Sequence, residues 1–151
     1  MFEPDGEGIG HTRQVNVDVD SCMRLGGETS DGTVRWWLEQ SPQARASVAK
    51  PGVDICNVVA VLVEDFKAHG CRQVWAHSPS FDCVILEHYM RALGVVAPWK
   101  FWDLMDTRTL FAMAAAVGWI RVRHPTAHTA LDDAIAQARD VQAAWKHIGR
   151  G

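Results

Sequence analysis

Residues whose types and spacing could do chemistry occur near the carboxyl terminus. His128 precedes a predicted helix, and Asp132 and Asp133 stand in the first turn of that helix. A carboxylate here could hold a metal ion, while the imidazole on the adjoining loop could take a proton from the water that the metal polarises. The residues also have an ordinary interpretation, because acidic side chains are common in a first turn and a single His is usually a polar surface residue.

The helix that would position this pair is predicted to begin after Thr129. Thr129 followed by an acid three residues later is typical of a capping box, which satisfies the free N–H groups at a helix start. Beyond the first turn, small or apolar residues recur at steps of three or four. They mark a face that is predicted to pack closely on a sheet: Ala130, Ala134, Ala138 and Val141.

Composition limits the classes of protein to which the chain could belong. Its 151 residues, 48% of them hydrophobic, are enough to bury a core and predict a single domain over residues 1–151. The net charge of −3 excludes a broad basic surface, so a nucleic acid would have to be bound locally, by a metal-filled cleft and a few Arg and Lys side chains. The seven Trp residues are predicted to fill the core or to stack on bases.

Hydropathy and cysteine spacing predict a soluble, cytoplasmic protein. No apolar run approaches the length of a membrane span, and the amino terminus has no basic-then-apolar leader. The cysteines have no CxxC spacing, which argues against a structural zinc site. They are predicted to be small buried side chains in a reducing compartment: Cys22, Cys56, Cys71 and Cys83.

Strands and helices are predicted to alternate in the second half of the chain. Apolar residues at helical spacing predict a helix over Asp54–His69, and Gln73–His77 is predicted to be a short strand that leads into the next helix. Trp99–Met105 is predicted to be another strand, after which Asp106 caps a helix that runs to Ala116. This alternation predicts an α/β layered architecture.

The first half of the chain carries weaker signals. Valines alternate with polar residues over 15–20, which predicts a half-buried strand with Asp18 and Asp20 on its polar face. Thr33 is predicted to cap a short helix. Ser41 followed by Pro42 predicts the start of another helix, because a Ser cap and a Pro in the first turn are both favoured there.

Three motifs occur in an order that resembles a known enzyme superfamily. Phe81-Asp82 follows a predicted strand and opens a helix, Asp106-Thr-Arg-Thr-Leu110 follows the next strand, and His128 stands five residues before Asp133. In this order and spacing they resemble the second and third motifs of the DEDDh 3'-to-5' exonucleases, the superfamily of proofreading exonuclease subunits and ribonuclease T.

Two further segments resemble one branch of that superfamily. The segment from Val34 reads Val-Arg-Trp-Trp-Leu-Glu-Gln-Ser-Pro, and the segment from Pro98 reads Pro-Trp-Lys-Phe-Trp. Both are similar to the exonuclease VIII-like branch, which includes a mycobacterial 3'-to-5' exoribonuclease and many phage proteins. The similarity extends over nearly the whole chain.

The resemblance implies a ribonuclease H-like fold, with a mixed central sheet flanked by helices, and hydrolysis of phosphodiester bonds at the 3' end of RNA or DNA by two Mg²⁺ or Mn²⁺ ions. It implies that Asp82 and Asp133 are metal ligands and that His128 is the general base. Arg108 is a candidate for phosphate contact, with a solvated helix face as an equal alternative. Phe81 could pack on a terminal base, although a core aromatic is the favoured interpretation. A homodimer is also implied.

The first motif of the superfamily, Asp-x-Glu at the end of an apolar strand, has no match. Asp5-Gly-Glu7 has these letters but lies in a Gly-rich turn, and Asp18-Val-Asp20 falls on a predicted later strand. We therefore expect that the first strand of the fold is missing and that its motif lies upstream of Met1.

Three hypotheses about function follow. The first is an exonuclease that is active in a longer form and impaired in this one. The second is a nucleic-acid-binding or partner-binding remnant of the same fold without catalysis. The third is an unrelated α/β metal hydrolase that uses Asp18 and Asp20.

Overall fold

The computed structural model describes residues 1–122 and 129–149. Its two strands are β1 (Val74–Ala76) and β2 (Leu104–Asp106), and a 3-10 turn, Phe101–Asp103, precedes β2. The helices within the described part are α1 (Val19–Arg24), α2 (Asp31–Leu38), α3 (Pro42–Val48), α4 (Ile55–Ala68), α5 (Pro79–Ala92), α6 (Thr107–Ala116) and α7 (Ala130–Ile148).

Strands β1 and β2 are parallel, and each leads directly into a helix. Val74 lies opposite Leu104, and Ala76 lies opposite Asp106. Helix α5 follows β1, and α6 follows β2. This is the α/β arrangement that the sequence predicts, since parallel strands need helical crossovers between them.

The chain divides into two compact units. The first unit comprises Met1–Arg13, Gly70–Ile85 and Trp99–Gly151, and the second comprises Gln14–His69 and Leu86–Pro98. Helix α5 therefore contributes its first half to one unit and its second half to the other. A single domain over residues 1–151 remains a prediction.

The core of the first unit lies between α6 and α7. Their buried side chains form one cluster, and residues from the amino terminus, β1, the segment after α6 and the end of α7 surround it. The central residues are Leu110, Phe111, Ala114, Val141 and Ala144, and those around them are Phe2, Trp75, Trp119 and Ile148. Ala114 and Ala144 are fully buried, because small side chains let the two helices approach closely.

The predicted small-residue face of α7 is only partly right. Ala138 and Val141 are buried, whereas Ala130 and Ala134 are exposed. The buried side of α7 continues to Ala144 and packs on helix α6, with Trp75 of β1 at the margin of the cluster. The predicted spacing of the small residues is correct, but the sequence does not show which turns of α7 are covered by α6.

The strand predicted over residues 15–20 is wrong. Val17 makes one isolated bridge to Val53, and the chain becomes helical at Val19. The Asp18 carboxylate accepts the Ser21 N–H at 2.8 Å and so caps α1. Asp18 and Asp20 thus lie at a helix start and not on the face of a strand, which removes the geometry of the third hypothesis.

Most predicted helix caps are confirmed. The side chains of Ser41, Asp106 and Thr129 each accept a backbone N–H from the first turn of the helix that follows. The cap of α2 is Ser30, whose hydroxyl accepts the Thr33 N–H at 3.1 Å, and so Thr33 lies inside the helix.

The strand predicted over Trp99–Met105 is shorter than expected. The Lys100 N–H donates to the Asp103 carboxylate at 2.7 Å, and this bond closes the 3-10 turn at Phe101–Asp103. The strand therefore begins only at Leu104.

The cysteines differ in their burial. Cys83 is buried, Cys22 and Cys71 are half-buried, and Cys56 is exposed in the first turn of α4. The prediction of a buried side chain is thus confirmed for Cys83 and wrong for Cys56. Among the helices that are described, none has both the length and the apolar character to cross a membrane.

Gly52 lies at a close backbone contact within the second unit, and a substitution there tests that contact. A Cβ at this position would overlap the backbone of Val17 and Asp18, where the Asp18 N–H donates to the Val53 carbonyl at 2.9 Å. We expect Gly52→Ala to lower the free energy of unfolding by about 1–3 kcal/mol. The matched control is Gly32→Ala in α2, where a Cβ meets open space. It should raise stability by up to about 1 kcal/mol. Urea unfolding measures the free energy of unfolding of both variants. Equal changes in Gly52→Ala and Gly32→Ala would contradict this packing.

Candidate active site

The carboxyl ends of the two strands meet at one edge of the sheet. Ala76 is paired with Asp106, so β1 and β2 end side by side. Helices α5 and α6 begin within three residues of this pair. The edge therefore brings together the two segments that carry Phe81-Asp82 and Asp106-Thr107-Arg108, and this is where parallel α/β sheets place their sites.

A hydrogen bond joins the two segments just beyond the strands. Nδ1 of His77 lies 3.0 Å from the Thr107 hydroxyl. Thr107 is fully buried and His77 is half-buried, with its ring 6.4 Å from the ring of Phe111. Sequence reasoning missed this pair. The signal that could have found it is the position of each residue directly after a predicted strand.

Asp82 lies in the first turn of α5 with its side chain exposed. The Asp82 N–H donates to the Ser78 carbonyl at 3.0 Å, and the Phe81 N–H donates to the same oxygen at 2.8 Å. Phe81 is 64% exposed, because α5 buries a different face that includes Cys83 and Met90. The favoured interpretation of Phe81 as a core aromatic is therefore wrong, and its side chain is available to a ligand.

Asp106 and Arg108 form the start of α6. The Asp106 carboxylate accepts the Arg108 N–H at 2.9 Å and caps the helix. The Arg108 side chain is exposed. It lies in solvent next to the sheet edge. This position suits both interpretations of Arg108, a phosphate contact and a solvated helix face.

The two acids of α7 have different surroundings. The Asp132 carboxylate accepts the Thr129 hydroxyl at 2.6 Å, and the Asp132 N–H donates to that hydroxyl oxygen at 3.1 Å. Asp132 therefore contacts the Thr129 cap through both its carboxylate and its N–H. Asp133 is exposed, and its N–H donates to the Thr129 carbonyl at 3.0 Å.

His128, the predicted general base, lies outside the described residues. On the amino-terminal side of that gap, Nε of Arg121 lies 2.7 Å from the Asp140 carboxylate of α7. The guanidinium also lies over the Phe111 ring, 4.8 Å from its centroid. Asp140 is 4% exposed, so this ion pair attaches the segment after α6 to a buried point on α7.

Glu7 of the Asp5-Gly-Glu7 segment is paired with a residue near the end of α7. The Glu7 carboxylate accepts a hydrogen bond from Nζ of Lys146 at 2.9 Å, and this cation lowers the pKa of Glu7. Lys146 lies thirteen residues along α7 from Asp133, which is about 20 Å at the rise of an α-helix. Glu7 is therefore held at the opposite end of α7.

The donor types suit a divalent cation, but the described residues do not form a complete metal site. Asp82 and Asp133 present exposed carboxylates, which are hard oxygen ligands of the kind that Mg²⁺ and Mn²⁺ prefer. Over residues 1–122 and 129–149, no group of three or more His, Cys, Asp or Glu side chains could hold a metal ion.

Comparisons with known proteins relate the chain to nucleases. An exodeoxyribonuclease of Enterobacteria phage T4 is 31% identical over 118 residues, a match that spans 65% of this chain and 52% of the phage protein. The chain thus matches about half the length of this curated relative. No solved structure matches it.

The sequence matches the 3'-5' exoribonuclease Rv2179c-like domain over residues 1–145, which is nearly the whole chain. The resemblance to the DEDDh exonucleases, and with it the expected fold class, is therefore confirmed. The chain belongs to the Rv2179c-like family of 3'-5' exoribonuclease domains.

Proposed function

We propose that this protein is a metal-dependent exonuclease that hydrolyses phosphodiester bonds at the 3' end of RNA or DNA. The observation that carries the proposal is the family match over residues 1–145. The sheet edge supports it, because two segments with exposed polar and charged side chains begin there. The family name indicates RNA and the name of the phage relative indicates DNA, so both substrates belong in the test.

Asp82 and Asp133 are the proposed metal ligands. Each lies in the first turn of a helix and has an exposed side chain, and its backbone N–H donates to a carbonyl four residues earlier. Two Mg²⁺ or Mn²⁺ ions, when bound, would polarise the attacking water and neutralise charge on the phosphate. Two carboxylates offset only half of the charge of two divalent ions, so we propose that further acidic ligands are needed for full activity.

The remaining site residues would act on the proton, the phosphate and the base. We propose that His128 takes the proton from the attacking water. The exposed Arg108 guanidinium would contact a phosphate, for which its forked donors are suited. Phe81, at 64% exposure, would stack on the terminal base.

A second candidate function is binding of nucleic acid, or of a protein partner, without catalysis. The observation that favours it is that the described residues contain no group of three possible metal ligands. On this hypothesis the protein would bind single strands and would not shorten them.

The test is a comparison of 3'-labelled and 5'-labelled single strands of RNA and DNA with Mn²⁺ or Mg²⁺. We expect labelled mononucleotides to appear first from the 3'-labelled strands, and EDTA to stop their release. Turnover that persists in EDTA, or that begins at the 5' end, would refute the proposal. Binding of the strands without any shortening would favour the second candidate.

Two further properties are proposed on less direct support. A homodimer is proposed from the family resemblance, and sedimentation equilibrium would measure it. A cytoplasmic location is proposed from the spacing of the cysteines in the sequence, which has no CxxC pair and suits a reducing compartment. Fractionation of cells that express the tagged chain would test it.

A further inference from the structure

The hydrogen bond between His77 and Thr107 occupies a special place in the fold. Ala76 and Asp106 are the last paired residues of the two strands. The residues that follow them, His77 and Thr107, are the two partners in this bond. Thr107 is also the first residue of α6, and His77 lies two residues before α5. The bond therefore crosses from one strand-to-helix junction to the other.

The imidazole is held by α6 at two points. The Thr107 hydroxyl contacts Nδ1 at 3.0 Å, and the Phe111 ring, one helical turn further along, lies 6.4 Å away at an interplanar angle of 42°. Thr107 has no exposed surface, so water does not compete freely for its hydroxyl. These contacts restrict both the position and the rotation of the His77 ring.

A short, hydrogen-bonded path connects His77 to the proposed metal ligand of α5. The carbonyl of Ser78, the next residue, accepts both the Phe81 N–H at 2.8 Å and the Asp82 N–H at 3.0 Å. On the other side, Asp106 precedes Thr107 and caps the Arg108 N–H at 2.9 Å. A shift of His77 relative to Thr107 would therefore move Asp82 relative to Arg108.

We infer that His77 is a positioning residue of the exonuclease site: its bond to Thr107 holds the amino end of α5, and with it Asp82, in register with the amino end of α6. The inference rests on the proposed function. A purely structural bond would change stability and leave the folded enzyme's turnover and metal requirement unchanged.

The experiment compares Thr107→Val, which removes the hydroxyl at nearly constant shape, with Thr107→Ser, which keeps it. The control is Thr12→Val, the same change at an exposed position of the same unit. We measure kcat and KM on 3'-labelled strands, the Mn²⁺ concentration for half-maximal rate, and Mn²⁺ binding by electron paramagnetic resonance. All variants are assayed at a temperature at which circular dichroism shows them folded.

We expect Thr107→Val to lower kcat at least tenfold and to weaken Mn²⁺ binding severalfold with KM for the strand unchanged. Thr107→Ser should stay within about threefold of the wild type, and Thr12→Val should match it. Unchanged kcat and Mn²⁺ affinity in Thr107→Val would overturn the inference. A wild type without turnover would instead refute the proposed function. The Mn²⁺ titration of the wild type and Thr107→Val would then decide the inference by itself.

Discussion

Asp133→Asn is expected to lower exonuclease turnover by a factor on the order of 100 or more, with little change in stability. A divalent ion stabilises transition-state charge by several kcal/mol, and each 1.36 kcal/mol is about tenfold in rate. An amide keeps the size of the carboxylate but loses the charge that holds the ion. Stability should persist because the Asp133 side chain is exposed.

The matched control is Asp132→Asn, one residue earlier on α7. Asp132 accepts the Thr129 hydroxyl at 2.6 Å, so its loss should cost up to about 1 kcal/mol of stability without loss of turnover. Rates on 3'-labelled strands and thermal unfolding of both variants provide the comparison. If the two variants lost turnover equally, or if only Asp132→Asn did, the assignment of Asp133 as the ligand would be wrong.

Phe111→Ala is expected to have the largest effect on stability, about 3–5 kcal/mol. The ring is 9% exposed, lies in the cluster between α6 and α7, and is 5.4 Å from the ring of Trp119. It also lies under the Arg121 guanidinium and next to His77. Its removal would leave a cavity and take away the contacts of both residues.

Met113→Ala is the control for this prediction, because Met113 lies on the same helix and is 58% exposed. It should change the free energy of unfolding by no more than about 0.5 kcal/mol. Urea unfolding followed by Trp fluorescence measures both variants. A loss below about 1 kcal/mol for Phe111→Ala would show that α6 and α7 do not share one core around this ring.

The same core links stability to the site. Helix α6 carries Arg108 at its start and Phe111 one turn later, while α7 carries Asp133 in its first turn and Val141 in the core. The packing of α6 against α7 therefore holds the helices that carry Arg108 and Asp133, which are proposed to act in the exonuclease site. We expect the fraction of folded Phe111→Ala protein to set an upper limit on its activity.

Local features of the sequence determined most of the helices. Asp54, Thr129 and the Ser41-Pro42 pair satisfy N–H groups within their own first turn, so the signal and its partner are neighbours in the sequence. The helical spacing in α4 is likewise local. The family resemblance also came from short motifs, because spacing within a few residues identifies them. The choice of Asp133 over Asp132 as a metal ligand rests on the same spacing and stays a prediction.

Tertiary structure decided the features whose partners are distant in the chain. The alternation around Asp18 predicted a strand, but the chain becomes helical at Val19. The hydroxyl of Ser21 in this helix accepts the N–H of Ile55, thirty-four residues away. His77 and Thr107 are thirty residues apart and meet only because two parallel strands place their ends together. The side chain of Phe81 is exposed because α5 buries another face. Periodicity reports that a face is apolar, and only the packing of the whole chain decides what that face contacts.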